Sequence, residues 1–138
     1  MSGEQIIVIE DDASQAEPFQ QMLEYRGYEV RCARDWAEAT DILSSFRPAL
    51  AIVDLLLIGP NDVPADGFSV IRSLRASGHE DIGILVWTSH FVNPRDEIRA
   101  LRAGADDYVR KDADFGLIEA RIEALLRRIN RIRALSHG

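Results

Sequence analysis

The run Ala49-Leu50-Ala51-Ile52-Val53 is apolar at every position and closes on Asp54. A strand with one wet face alternates apolar and polar residues, whereas a short run that does not alternate is buried on both faces. A sheet holding such a strand needs cover above and below, and the rest of the chain supplies it. Gln5–Ile9, Tyr28–Cys32, Ala49–Val53, Ile82–Trp87 and Asp107–Val109 read as strands. Between them, Ala16, Phe19, Leu23 and Arg26 recur at helical spacing, as do Trp36, Ala39, Ile42 and Leu43. Phe68, Ile71 and Leu74 mark a third helix, Ile98, Leu101 and Arg102 a fourth, and Ile118, Ile122, Leu125, Ile129 and Ile132 a fifth. This alternation predicts an α/β fold, a doubly wound five-stranded parallel sheet with helices on both faces.

Local signals fit that plan. Asp35 can cap the second helix, and Gly27, Gly78 and Gly104 fall where helices should stop. Pro18 fits if the first helix begins late, or else it distorts the first turn. The stretch Leu55 to Asp66 holds Gly59-Pro60-Asn61-Asp62 and Pro64 and reads as one long loop. The 138 residues make one ordinary domain, 46% hydrophobic and 28% charged. A net charge of −7 argues against a grip on nucleic acid by this chain alone. The lone Cys32 has no partner for a disulfide and reads as a buried inert thiol. Ile6–Ile9 is too short for a membrane span or signal peptide, which makes the cytoplasm the expected compartment.

The chemistry gathers at strand ends. Glu10, Asp11 and Asp12 follow the first strand and Asp54 ends the third. Parallel sheets place their sites at the carboxyl ends of strands. Clustered carboxylates repel one another without a cation, and oxygen ligands suit Mg²⁺. Thr88-Ser89 ends the fourth strand with hydroxyls, and Lys111 follows the fifth. A metal, a hydroxyl and an ammonium around one carboxylate suit phosphoryl transfer to an aspartate. Taken singly, each residue has a plainer role: an acid after a strand is commonly a helix cap, and Asp12 is assigned that role.

Together these segments resemble the receiver domain of bacterial two-component response regulators. The resemblance rests on Ile6-Ile7-Val8-Ile9-Glu10-Asp11-Asp12, Ile52-Val53-Asp54-Leu55, Asp66-Gly67-Phe68, Val86-Trp87-Thr88-Ser89 and Gly104-Ala105-Asp106-Asp107-Tyr108-Val109-Arg110-Lys111. It implies a flavodoxin-like receiver fold, with residues 1–128 as the receiver domain and 129–138 as an extension of the last helix. It also implies that Asp54 accepts a phosphoryl group from a sensor histidine kinase or phosphotransfer protein. Glu10, Asp11, Asp54 and the Leu56 carbonyl would hold Mg²⁺. Thr88 would hydrogen-bond the phosphoryl group, Lys111 would pair with it, and Tyr108 would be the switch aromatic. The only catalysis implied is self-catalysed, Mg²⁺-dependent phosphorylation and dephosphorylation.

Two departures stand out. The family usually has a cis proline after the lysine, where this chain has Asp112, so the loop there is expected to run differently. The Leu55–Asp66 segment is longer than the usual pattern and lies beside the metal site. In the DNA-binding branch of the family, receivers dimerise through the fourth helix, fifth strand and fifth helix. Charged pairs across that face match Asp107 with Arg121 and Asp106 with Arg128, while Leu117 stands where a third pair needs an acid. Leu56 and His90 would flank the path of attacking water, and a bulky Leu56 is expected to slow hydrolysis to minutes or more. No helix-turn-helix pattern precedes Gly138, so no DNA reader is expected in this chain. The competing reading is a small aspartyl-phosphate phosphohydrolase acting on a metabolite. It wants a second acid two residues past the nucleophile, where Leu56 stands. A flavin carrier on the same fold would need a hydroxyl- and glycine-rich phosphate loop after the first strand, which is absent.

Overall fold

The apolar runs become strands and the amphipathic stretches helices in a computed structural model that describes residues 3–58, 64–79, 81–89 and 94–137. In chain order these are β1 (Gln5–Ile9), α1 (Ala13–Tyr25), β2 (Glu29–Ala33), α2 (Trp36–Leu43), β3 (Leu50–Val53), β4 (Leu56–Ile58), β5 (Pro64–Asp66), α3 (Gly67–Ala76), β6 (Gly83–Thr88), α4 (Pro94–Ala103), β7 (Asp107–Arg110) and α5 (Phe115–His137). One parallel sheet has the order β2-β1-β3-β6-β7. It grows one way from β1 and the other way from β3. The switch point therefore lies between β1 and β3, where doubly wound sheets open a crevice at their carboxyl ends.

Each face of the sheet has its own core. Ile7, Ile9, Ala51, Val53, Ile84 and Val86 point to one side, against Ala39 and Leu43 of α2, Phe68, Ile71 and Leu74 of α3 and Ala100 of α4. Ile6, Val8, Leu50, Ile52, Leu85 and Trp87 point to the other, against Phe19 and Leu23 of α1 and Ile118, Ile122, Leu125 and Leu126 of α5. The period of two along β3 thus divides an all-apolar run between two cores. Each fully buried branched side chain contributes about 1.5–3 kcal/mol over leaving it exposed.

The helix boundaries have local causes. Asp35 caps α2 by accepting from the Glu38 N–H at 2.8 Å. Gly27, Gly78 and Gly104 have positive φ and stop helices as expected. Pro18 departs from expectation: α1 begins before it, at Ala13, and runs through it. Asp12 caps that helix, and the buried Phe19 and Leu23 hold it on the sheet, which offsets the backbone hydrogen bond the proline forfeits. The long loop after Asp54 is also corrected. Its two arms pair as an antiparallel hairpin, with Leu56 opposite Asp66, Leu57 opposite Ala65 and Ile58 opposite Pro64. Strands of three residues leave too little pattern to see beside strong turn formers.

Cys32 is half-buried and donates to Gln20 Oε1 at 3.3 Å. Burial pushes its thiol up to about 11, which keeps it protonated and unreactive at neutral pH. α5 is 23 residues long. Ile129 packs in the core, Asn130 donates to Glu4 at 3.0 Å, and Arg133 bonds Asp81 and the Pro48 carbonyl, each at 3.1 Å. Among the described residues no helix is long and apolar enough to cross a membrane.

Candidate functional site

Strand register brings the acids together. Ile9 pairs with Val53, so the following residues, Glu10 and Asp54, leave the sheet at one level on adjacent strands. Their backbones are pinned there: the Asp54 N–H donates to the Ile9 carbonyl at 3.1 Å and the Glu10 N–H to the Ala33 carbonyl at 2.9 Å. Both side chains are buried, Glu10 2% and Asp54 4% exposed, while Asp11 is half-buried. One carboxylate oxygen from each of Glu10, Asp11 and Asp54 lies within 4.8 Å of the others.

Lys111 comes to this cluster from the end of β7. Its backbone N–H donates to the Thr88 carbonyl at 3.0 Å, which sets it level with the end of β6. Its ammonium donates to Glu10 Oε1, to Gln15 Oε1 at 2.5 Å and to Asp54 Oδ2 at 3.2 Å. An ammonium has three donors, and all three meet oxygen here. Burial pushes the Glu10 carboxyl up to about 7; the Lys111 hydrogen bond opposes that rise and the Asp54 charge adds to it. Acids held this close and this dry favour a cation among them. The donors are all hard oxygens, so the set fits Mg²⁺ rather than a thiolate- or imidazole-seeking metal.

Asp12 does cap α1. It accepts from the Ser14 N–H at 2.9 Å, the Ser14 hydroxyl at 2.6 Å and Gln15 Nε2 at 3.0 Å. The Ser14 hydrogen bonds hold its carboxyl below the ordinary aspartate value. Its own N–H donates to Glu10 Oε2 at 3.3 Å, which helps aim Glu10. Gly67 opens α3 beside the site and donates to the Leu55 carbonyl at 3.0 Å. A methyl group there would collide with the Asp54 carbonyl oxygen and stand 2.6 Å from Leu55 Cα. Only glycine lets α3 pass this close to the backbone that carries Asp54.

The remaining predicted residues lie on and beside β6 and β7. Thr88 is fully buried at the end of β6, two residues past the Val53–Val86 pairing. Tyr108 lies opposite Val86, half-buried against the core on the α2–α4 side. Asp107 pairs with Arg121 at 3.1 Å, and Asp106 with Arg128 at 3.0 Å, both within one chain. Asp106 also accepts from Arg75 and from the Ile84 N–H, each at 2.8 Å. After Lys111 the described peptide bonds are all trans. Asp112 turns its carboxylate to Arg110 at 2.8 Å, and the Ala113 N–H closes the turn on the Arg110 carbonyl at 3.1 Å. Leu56 begins the hairpin that leaves the site, and His90 lies outside the described residues.

A model of the response regulator receiver domain matches residues 6–123. The chain belongs to the response regulator receiver family. It is a receiver domain of two-component signalling, and its fold is the receiver fold. The receiver is 37% identical over 123 residues to the response regulator MprA of Mycolicibacterium vanbaalenii, an alignment covering 89% of this chain and 50% of that protein. The chain thus spans about half the length of the curated relatives it matches. Among solved structures it resembles the signal receiver domain of a signal transduction histidine kinase from Syntrophus aciditrophicus, with 31% identity, a TM-score of 0.79 and 94% of each chain covered. It also resembles a response regulator from Burkholderia pseudomallei solved with a phosphorylated aspartic acid, a calcium ion and citrate. There the identity is 29% and the TM-score 0.76, over 98% of this chain and 75% of that one.

The sequence pattern gives no site role to Gln15 or Trp87 and does not disclose the close approach at Gly67. Gln15 is a first-turn helix residue and Trp87 an apolar strand residue, and neither type signals a site. Gly67→Ala is expected to lower stability by about 1–3 kcal/mol, as overpacking does. A urea midpoint equal to wild type would contradict this close approach.

Proposed function

We propose that this receiver takes a phosphoryl group onto Asp54 from a phosphohistidine of a sensor histidine kinase or phosphotransfer protein. The observation that carries the reading is Lys111, whose ammonium joins Asp54 to Glu10 inside a cluster of three acids. An Asp54 carboxylate oxygen attacks phosphorus, the phosphorus–nitrogen bond breaks, and the imidazole leaves with the electron pair and takes up a proton. Glu10, Asp11, Asp54 and the Leu56 carbonyl would hold Mg²⁺, which would neutralise charge on the phosphoryl oxygens. Lys111 gives the second positive charge and is already hydrogen-bonded to the attacking carboxylate. The Thr88 hydroxyl donates to a phosphoryl oxygen. Tyr108 then turns toward the space Thr88 leaves, and the face formed by α4, β7 and α5 changes. The receiver catalyses its own phosphorylation and dephosphorylation and works in the cytoplasm. The changed face controls a partner or output domain.

Phosphoramidate with Mg²⁺ tests the chemistry without a kinase. Intact-protein mass spectrometry is expected to show one phosphoryl group on wild type and none on Asp54→Asn. Equal labelling of the variant would overturn the assignment of Asp54.

The same face supports a homodimer. Asp107–Arg121 and Asp106–Arg128 are exposed or half-exposed pairs closed within one chain. Such pairs are worth about 0–1 kcal/mol each, so exchanging them for pairs across an interface costs little. Sedimentation with beryllofluoride is expected to show a dimer that the unliganded protein forms more weakly. A monomer at high concentration in both states would rule the dimer out.

A further inference from the structure

We infer that Trp87 is a positioning residue for Lys111, laying its ammonium toward Asp54 across the face of the indole. The proposal rests on the reading of Lys111 as the phosphoryl group's charge partner. Trp87 is the penultimate residue of β6, and its side chain points to the α1–α5 side of the sheet. Phe19 of α1 stacks on its ring, centroids 4.1 Å apart and planes 14° from parallel. The Lys111 ammonium lies 4.5 Å from the ring centroid. A lysine on a four-carbon stem has many rotamers, and nothing in its own chemistry selects one. Here the indole supplies a wall for the ammonium, and the stacked Phe19 keeps the wall from moving. The same ammonium then reaches Glu10, Gln15 and Asp54.

The plain alternative is that Trp87 only fills the core. Its polar atom argues otherwise. Trp87 Nε1 is buried and has no hydrogen-bond partner among the described residues. A phenylalanine or leucine would fill apolar space without that desolvation cost. What the indole offers in return is the aromatic face that attracts a cation most strongly, in a site where Lys111 is only 9% exposed. The wall also links α1 to the site, because Phe19 and Gln15 both belong to that helix and both serve Lys111, one through the ring and one directly.

Trp87→Leu and Trp87→Phe separate the two roles. With phosphoramidate and saturating Mg²⁺, Trp87→Leu is expected to slow Asp54 phosphorylation about tenfold, the scale of a desolvated cation–π contact. Its Mg²⁺ affinity should stay within about twofold, since the oxygen ligands remain. Trp87→Phe keeps an aromatic face and should recover most of the rate. Proton NMR of wild type adds a readout that needs no variant: the Lys111 Hε resonances should be shifted upfield by the indole ring current. Lys111 Hε resonances at ordinary lysine positions would overturn the contact. Equal rates in wild type and both variants would overturn the positioning role alone. A wild-type protein that gains no phosphoryl group would overturn the phosphoacceptor reading and this role together.

Discussion

Three carboxylates of like charge stand at the ends of two neighbouring strands, and the arrangement of the receiver's site follows from what holds them there. Backbone register delivers Glu10 and Asp54 to one level, so their proximity is a property of the sheet and not of flexible loops. Repulsion among them is opposed by the Lys111 ammonium, which comes from β7 at the far edge of the sheet. Its reach depends on the turn that the Ala113 N–H closes on the Arg110 carbonyl and on the hydrogen bond from its own N–H to the Thr88 carbonyl. Helix α1 and the ends of β6 and β7 therefore all constrain one positive charge. The energy of that charge among buried acids is large because water is scarce there, and it would fall sharply with misplacement.

Much of this was legible in the chain. The unbroken apolar run before Asp54 required a strand covered on both faces, and the structure splits its side chains between two cores. Asp12 and Asp35 were readable as caps because an acid before an amphipathic run has one common use. Five strands of the sheet fall within a residue of their expected positions. The acids, Thr88 and Lys111 could be named because strand ends are where such folds place reactive groups.

What the chain did not disclose depends on contacts between distant residues. Gln15 meets Lys111 only because α1 and the end of β7 converge in space, 96 residues apart in the chain. Trp87 reads as core in any apolar strand, and its contact with an ammonium needs coordinates to be seen. The hairpin after Asp54 was hidden by its own turn formers, since two arms of three residues carry little periodicity. Pro18 misled because its local penalty is real but smaller than the packing of the helix around it. In each case tertiary contact outweighed a correct local preference.

Fluorine NMR of the full chain with beryllofluoride asks most directly whether Asp54, a divalent ion and Lys111 form one phosphoryl site. Bound fluorine resonances are expected in wild type only when Mg²⁺ is present. They should be absent in Asp54→Ala and weakened in Lys111→Ala. Bound resonances that persist in Asp54→Ala, or that form without a divalent ion, would contradict the account.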